Sequence, residues 1–333
     1  MKIFTTLFLA AIATNSMTSL ASTSQLSEVQ KAIAAYQSDN YDQAKSLWQQ
    51  QPESVQKFLY LGKIAYQQSE LEDAEEYFEE ALEQDEANAE AHYMLGSVSM
   101  ELAANASMFS AASYAGTAKD SLIKAIELEP SHVDAMVALS QFYVYAPSIV
   151  GGDIDKAEGL AMQLAKYSKL DSLLVTQMVL SKKEAKEELM KLSKQLLNEF
   201  PNSSEAVLTA GFIYQELEHY DEAFQAFDKS SLLAREDKED LSPEYALFQI
   251  GKTSVLSKSR LEQGVVALER YIGLEESMSV PSTDWALYRL AQLRNLQGDK
   301  KQALEMAATL KAATEDDDLE EQLSDFIKEV KKS

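Results

Sequence analysis

Gly62 and Gly96 stand 34 residues apart, and the residues around each of them repeat. Phe58, Leu61, Gly62 and Tyr66 are followed by Ala74, Phe78 and Ala81; His92, Leu95 and Gly96 begin a second copy in the same register. A fixed period of this length, with small residues at set distances from large ones, is what a stack of two-helix hairpins demands. The small residue of the first helix lets the second helix approach closely, and the Ala of the second does the same from its side. Such a pattern predicts an all-α fold, a right-handed α-solenoid of stacked helical hairpins in which each unit contacts only its neighbours.

The bulk composition agrees with that reading. Of 333 residues, 46% are hydrophobic, and 11 Gly and 6 Pro are too few breakers for an all-β chain. The net charge of −24 opposes binding to nucleic acid, a polyanion that selects surplus Lys and Arg, and opposes electrostatic docking on an anionic membrane face. Cysteine is absent, so no disulfide and no lipid-modified cysteine is available to the chain.

Residues 1–21 read as a signal peptide. Lys2 supplies a positive start, Ile3 to Ala13 is apolar, and Ser19-Leu20-Ala21 places small residues where a signal peptidase reads. A membrane span needs about twenty predominantly apolar residues, and Asn15 and Ser16 interrupt too early. Cleavage near Ala21 would leave a periplasmic or secreted protein with no membrane anchor.

Further copies of the pattern follow. Val207, Ala210, Gly211 and Tyr214 precede Ala223 and Phe227; Met136, Leu139, Ser140 and Tyr143 precede Ala157. Leu247, Ile250 and Gly251 precede Gly264, and Leu287, Leu290 and Ala291 precede Ala303. A first unit contains Ala32, Ala44 and Trp48, and a unit around Leu189 to Pro201 has lost most of its small and aromatic marks. These residues resemble the tetratricopeptide repeat family, strongly in three units and loosely in the rest, and the register predicts seven or eight hairpins over residues 22–313. Residues 314–333 read as a terminal capping helix with its tail, because Leu319, Leu323, Phe326, Ile327 and Val330 fall on one helical stripe behind Asp316-Asp317-Asp318. Those acids lack the alternating oxygen ligands and central Gly of a calcium loop.

Two segments depart from the register. Ten extra residues fall within 105–116, which predicts longer helices or an added turn, with Met108, Phe109 and Tyr114 either offered as contacts or packed on the neighbouring hairpin. The run Ala146-Pro147-Ser148-Ile149-Val150-Gly151-Gly152-Asp153 predicts a sharp turn closed by Asp153 or Asp155 as a helix cap. It lacks the Lys and Ser/Thr of a phosphate loop.

In tetratricopeptide proteins a stripe of the first helix of each hairpin lines a concave groove that holds peptides, and the resemblance implies the same here. In this chain the stripe carries Tyr66, Tyr93, Tyr145, Phe212, Tyr245, Phe248, Trp285 and Tyr288, with Lys63, Gln141, Lys252 and Gln292 as polar neighbours. Rings supply area at low entropic cost, and amides can satisfy a peptide backbone. The densest patch is Tyr245, Phe248, Trp285 and Tyr288. Two readings of it stay open: an anchor site, or rings packed between hairpins and under the terminal helix.

Nothing in the sequence assembles a reaction centre. His92, His132 and His219 fall at unrelated repeat positions, no metal-ligand spacing links them, and the many paired carboxylates, such as Glu75-Glu76, belong on the outer helices. No cofactor or metal is expected. The expectation is a non-enzymatic scaffold of the cell envelope that binds a partner peptide or protein. The alternative is a cell-wall or exopolysaccharide-binding protein that stacks sugars on the same rings.

Overall fold

The computed structural model describes residues 28–235, 240–274 and 281–332, apart from the side chains at positions 108 and 109. The proposed signal peptide and the Met108 and Phe109 side chains lie outside the described residues. Within them the chain is all α, with no strand. The helices form consecutive hairpins: α1 (28–37) with α2 (Tyr41–Gln49), α3 (Val55–Gln67) with α4 (Leu71–Gln84), α5 (Ala89–Asn105) with α6 (Met108–Leu128), and α7 (Val133–Tyr145) with α8 (Ile154–Leu164). Then follow α9 (Lys169–Lys182) with α10 (Lys186–Glu199), α11 (Ser204–Glu216) with α12 (Tyr220–Ser230), α13 (Ser242–Ser257) with α14 (Leu261–Ile272), and α15 (Thr283–Leu296) with α16 (Lys300–Ala313). A last helix, α17 (Asp317–Lys332), is unpaired. The chain is an α-helical repeat solenoid that divides between Ser168 and Lys169 into two compact units, α1–α8 and α9–α17.

Local chemistry sets the hairpin boundaries. Ser54, Asn88 and Ser203 each accept a hydrogen bond from the third amide beyond them, which satisfies an orphan N–H at the start of α3, α5 and α11. The turn within most hairpins passes through a left-handed residue: Asp39, Ser69, Glu184, Glu218, Lys258 or Gly298. The amide just after it reaches back to the helix it leaves, from Glu70 to Ala65 (2.9 Å), His219 to Tyr214 (2.8 Å) and Asp299 to Arg294 (2.9 Å). Those bonds satisfy the last carbonyls and reverse the chain.

The signature residues are the core. Ala74, Ala81, Ala118, Ala125, Ala223 and Ala303 are wholly buried. A Cβ placed on Gly62 would stand 2.5 Å from the Phe78 ring, and one on Gly211 would stand 2.5 Å from the Phe227 ring. The small residue is therefore a packing requirement, because the aromatic of the second helix lies directly on the backbone of the first. The unit that lost its marks still folds as α9 and α10, with Val175, Val179, Leu189 and Leu196 buried and Ser193 as its small residue.

Both irregular segments have a structural account. The insertion lengthens α5 and α6 to 17 and 21 residues, and only Ala106 and Ser107 separate them. Tyr114 packs on the neighbouring core of Phe78, Leu95 and Leu102. In the second segment a 3-10 turn (Ser148–Val150) follows Pro147, Gly151 has φ 111°, and Asp153 caps α8 through the amides of Asp155 and Lys156. Any Cβ on Gly152 would collide with the Ala146 carbonyl.

Candidate functional site

In the first unit the stripe is cross-linked from helix to helix. Lys63 on α3 meets Glu90 on α5 at 2.6 Å, and His132 before α7 approaches the other Glu90 oxygen at 3.4 Å. The Tyr93 ring lies 4.9 Å from the His132 ring. Tyr66 is half-buried and its hydroxyl is bonded to Glu101; burial first, and that bond second, push its pKa up to about 12. Gln141 and Tyr145, at the end of α7, are exposed, Tyr145 by 65%.

In the second unit the α9, α11 and α13 faces line an open cleft of about 430 Å³. Its lining includes Phe212 and Lys252 of the stripe with Gln215 and Glu216 beside Phe212 on α11, and adds Gln177, Ser181 and Leu256. Ser181 donates to Glu216 at 2.6 Å and receives from Gln177 at 2.9 Å, while the Gln215 amide donates to Thr253 at 2.8 Å. Among the described residues the side-chain amide oxygens of Gln177 and Gln215 accept no hydrogen bond, which leaves acceptors for N–H groups of a bound chain. Lys252 has no ion-pair or hydrogen-bond partner among the described residues; burial, and then the charge of Arg289, hold its ammonium below the usual lysine range.

The predicted aromatic patch is not open. Phe248 and Tyr288 are buried, 4% and 5% exposed, which corrects the expectation that their helix stripe faces solvent. Phe248 packs against Tyr271 at 5.6 Å and Tyr245 at 6.1 Å, and Tyr245 in turn against Phe212 at 5.5 Å. Tyr288 meets Phe326 of α17 edge-on at 5.9 Å, and half-buried Trp285 donates its indole N–H to Asp316 at 2.9 Å. The physical reason is apolar area: a terminal helix with Leu319, Leu323, Phe326 and Val330 on one face must cover something, and it covers Tyr288 and Trp285, while Phe248 is sealed by its own hairpin. Gln292 accepts from Arg289 at 2.9 Å.

No protein-family model matches the chain, and no curated protein matches it in sequence. Solved structures are similar in backbone. A tetratricopeptide repeat protein from Parabacteroides merdae gives a TM-score of 0.57 at 13% identity, covering 80% of this chain and 99% of that one. The fold is that of the tetratricopeptide repeat proteins. The human IFIT1 dimer with PPP-AAAA gives a TM-score of 0.61 at 13% identity, over 97% of this chain and 78% of that one.

The tetratricopeptide register also explains which cleft residues sequence reasoning missed. Gln177 and Ser181 lie 35 positions before Phe212 and Glu216, so one step back along the repeat would have found them. The weak marks of the α9–α10 unit hid that step. Among the described residues no group of three or more His, Asp or Glu side chains could hold a metal ion, and no helix is long and apolar enough to cross a membrane.

Proposed function

We propose that the chain is a non-enzymatic scaffold that holds an extended segment of a partner protein in the α9–α11–α13 cleft of its second unit. The observation that carries this reading is the cleft itself, where an apolar edge (Phe212, Leu256) stands beside amide acceptors and a cation. That mixture suits main chain with alternating side chains, and repeat solenoids use such faces for binding. The N-terminal pattern of a positive start, an apolar run and Ser19-Leu20-Ala21 supports export, so the partner belongs to the cell envelope. The net charge of −24 argues against nucleic acid, although the similar human protein is described with PPP-AAAA. Sugar stacking has less support, because Phe248 and Tyr288 are buried and Trp285 is engaged by the terminal helix.

The test is affinity capture from an envelope extract with the wild type and with Leu256→Glu. Leu256 is 48% exposed, so a charge there leaves the core intact but blocks the apolar edge. Loss of one partner band in the variant supports the cleft; identical bands from both proteins refute it. Fractionation of cells carrying the full chain checks export separately.

A further inference from the structure

The second helix of the α13–α14 hairpin departs from the surface pattern of the array. Two residues past the small residue of the second helix, other hairpins carry Glu76, Asp120, Gln225 and Glu305. Counted from Gly264, the same position is Val266, and it is half-exposed. Leu232, just beyond α12, is exposed where the α4 and α6 hairpins have Glu83 and Glu127. Between α12 and α14 lies an open cleft of about 300 Å³, lined by Val266, by buried Leu247 and Ile250 of α13, and by Ser231 next to Leu232. Apolar side chains beside a cleft, at positions that are polar elsewhere in the array, mark a surface that is covered in use.

The charges around Val266 indicate what covers it. Glu262, Val266 and Arg270 follow one another at four-residue spacing, so they share one face of α14, and all three line this cleft. Other acids nearby are engaged: Asp221 pairs with Arg260 at 2.6 Å, Glu269 with Arg294 at 3.0 Å, and both Asp228 oxygens accept from Gln263 at 2.8 Å. Among the described residues Glu262 meets only the neutral amide of Gln297, and Arg270 has no ion pair or hydrogen bond. The stripe therefore reads acid, apolar, base, and it is its own complement when turned end for end. A two-fold axis beside Val266 sets the two Val266 side chains together and places Glu262 of each copy against Arg270 of the other, the self-matching contact that a two-fold interface requires. We infer that two copies of this chain associate through antiparallel α14 helices, with Val266 and Leu232 at the centre and two Glu262–Arg270 pairs at the rim. One helix against its copy is a small interface, so the dimer is reversible. The net charge of −24 opposes the approach, but at physiological salt it is screened beyond about 8 Å. This surface shares no lining residue with the α9–α11–α13 cleft, so the inference does not depend on what that cleft holds.

The experiment is sedimentation equilibrium of the full chain at physiological salt, carried into the high-micromolar range. The wild type should show a monomer–dimer equilibrium. Val266→Glu should weaken it about tenfold or more, because it sets two like charges face to face at the axis. Glu262→Lys and Arg270→Glu should each weaken it as well, while an equimolar mixture of these two variants should recover association, since each stripe then meets its opposite. The chain has no cysteine, so Val266→Cys should also give a disulfide-linked dimer under mild oxidation, faster than Gln225→Cys at the equivalent exposed position of α12. Every substituted side chain is at the surface, and circular dichroism confirms that each variant is folded. A wild type that stays monomeric throughout the range overturns the inference. So does a dimer indifferent to Val266→Glu, or a mixture that associates no better than its two components. If the wild type is monomeric and Val266→Glu instead loses a protein captured from an envelope extract, the face serves another partner and the assignment to a second copy fails.

Discussion

The Trp285 indole donates to one oxygen of Asp316 at 2.9 Å, and the other oxygen accepts from the Leu319 amide at 2.9 Å. One carboxylate thus caps α17 and ties it to α15. The Leu319 amide first, and Trp285 second, hold the Asp316 carboxyl below its ordinary value of 3.8. A carboxyl depressed in the folded state stabilises the fold above its unfolded value, and the stabilisation is lost as pH falls below about 3.8. Asp316→Ala should therefore reduce hydrogen-exchange protection across α17 at neutral pH, and the difference from wild type should shrink toward pH 2. Equal protection at neutral pH would show that the bond does not hold the helix.

A second prediction concerns the small residue of the repeat. Gly211→Ala drives a methyl into the Phe227 ring, which cannot retreat because Phe212 lies edge-on to it at 5.7 Å. The change should destabilise the second unit by about 1–3 kcal/mol in urea unfolding, the usual cost of overpacking. Adding Phe227→Leu should recover part of that loss, since the two sites are in contact and their effects are not additive. Simple addition of the two penalties would contradict the close approach.

The hairpin array was legible in the sequence because each unit repeats the same packing problem. Gly62 under Phe78 and Gly211 under Phe227 are the same contact, and a contact made several times leaves a period. The cleft was half legible. Phe212 and Lys252 follow from the register, whereas the exposure of Tyr288 depended on what covers the end of the array, and a single terminal helix leaves no period to read; Phe248 is buried instead against Tyr271 of its own hairpin. The covering helix was visible in the stripe from Leu319 to Val330; which rings it would cover was not.

Turn strain yields a third prediction. Glu218 turns the α11–α12 hairpin with φ 61°, a left-handed backbone that a side chain disfavours. Glu218→Gly removes that penalty and adds some unfolded-state entropy, so a net gain of about 0.5–1 kcal/mol is expected. The same substitution two residues earlier, Glu216→Gly, falls on the last residue of α11 and removes the carboxylate that accepts from Ser181, so it should cost up to about 1 kcal/mol. Opposite signs in thermal melts at these two neighbouring acids would establish the turn geometry; a loss at both positions would refute it.

The last prediction concerns the cross-link of the first unit, where Glu90 meets Lys63 at 2.6 Å through one oxygen and His132 at 3.4 Å through the other. Lys63 and Glu90 are 28% and 38% exposed, so their ion pair contributes only about 0–1 kcal/mol, and Glu90→Gln should leave the melting temperature nearly unchanged. The same small effect is expected of Lys63→Met, and because the two residues form one contact the double variant should lose no more than the larger single loss. Penalties that add in full in the double variant would mean that the pair contributes nothing as a pair.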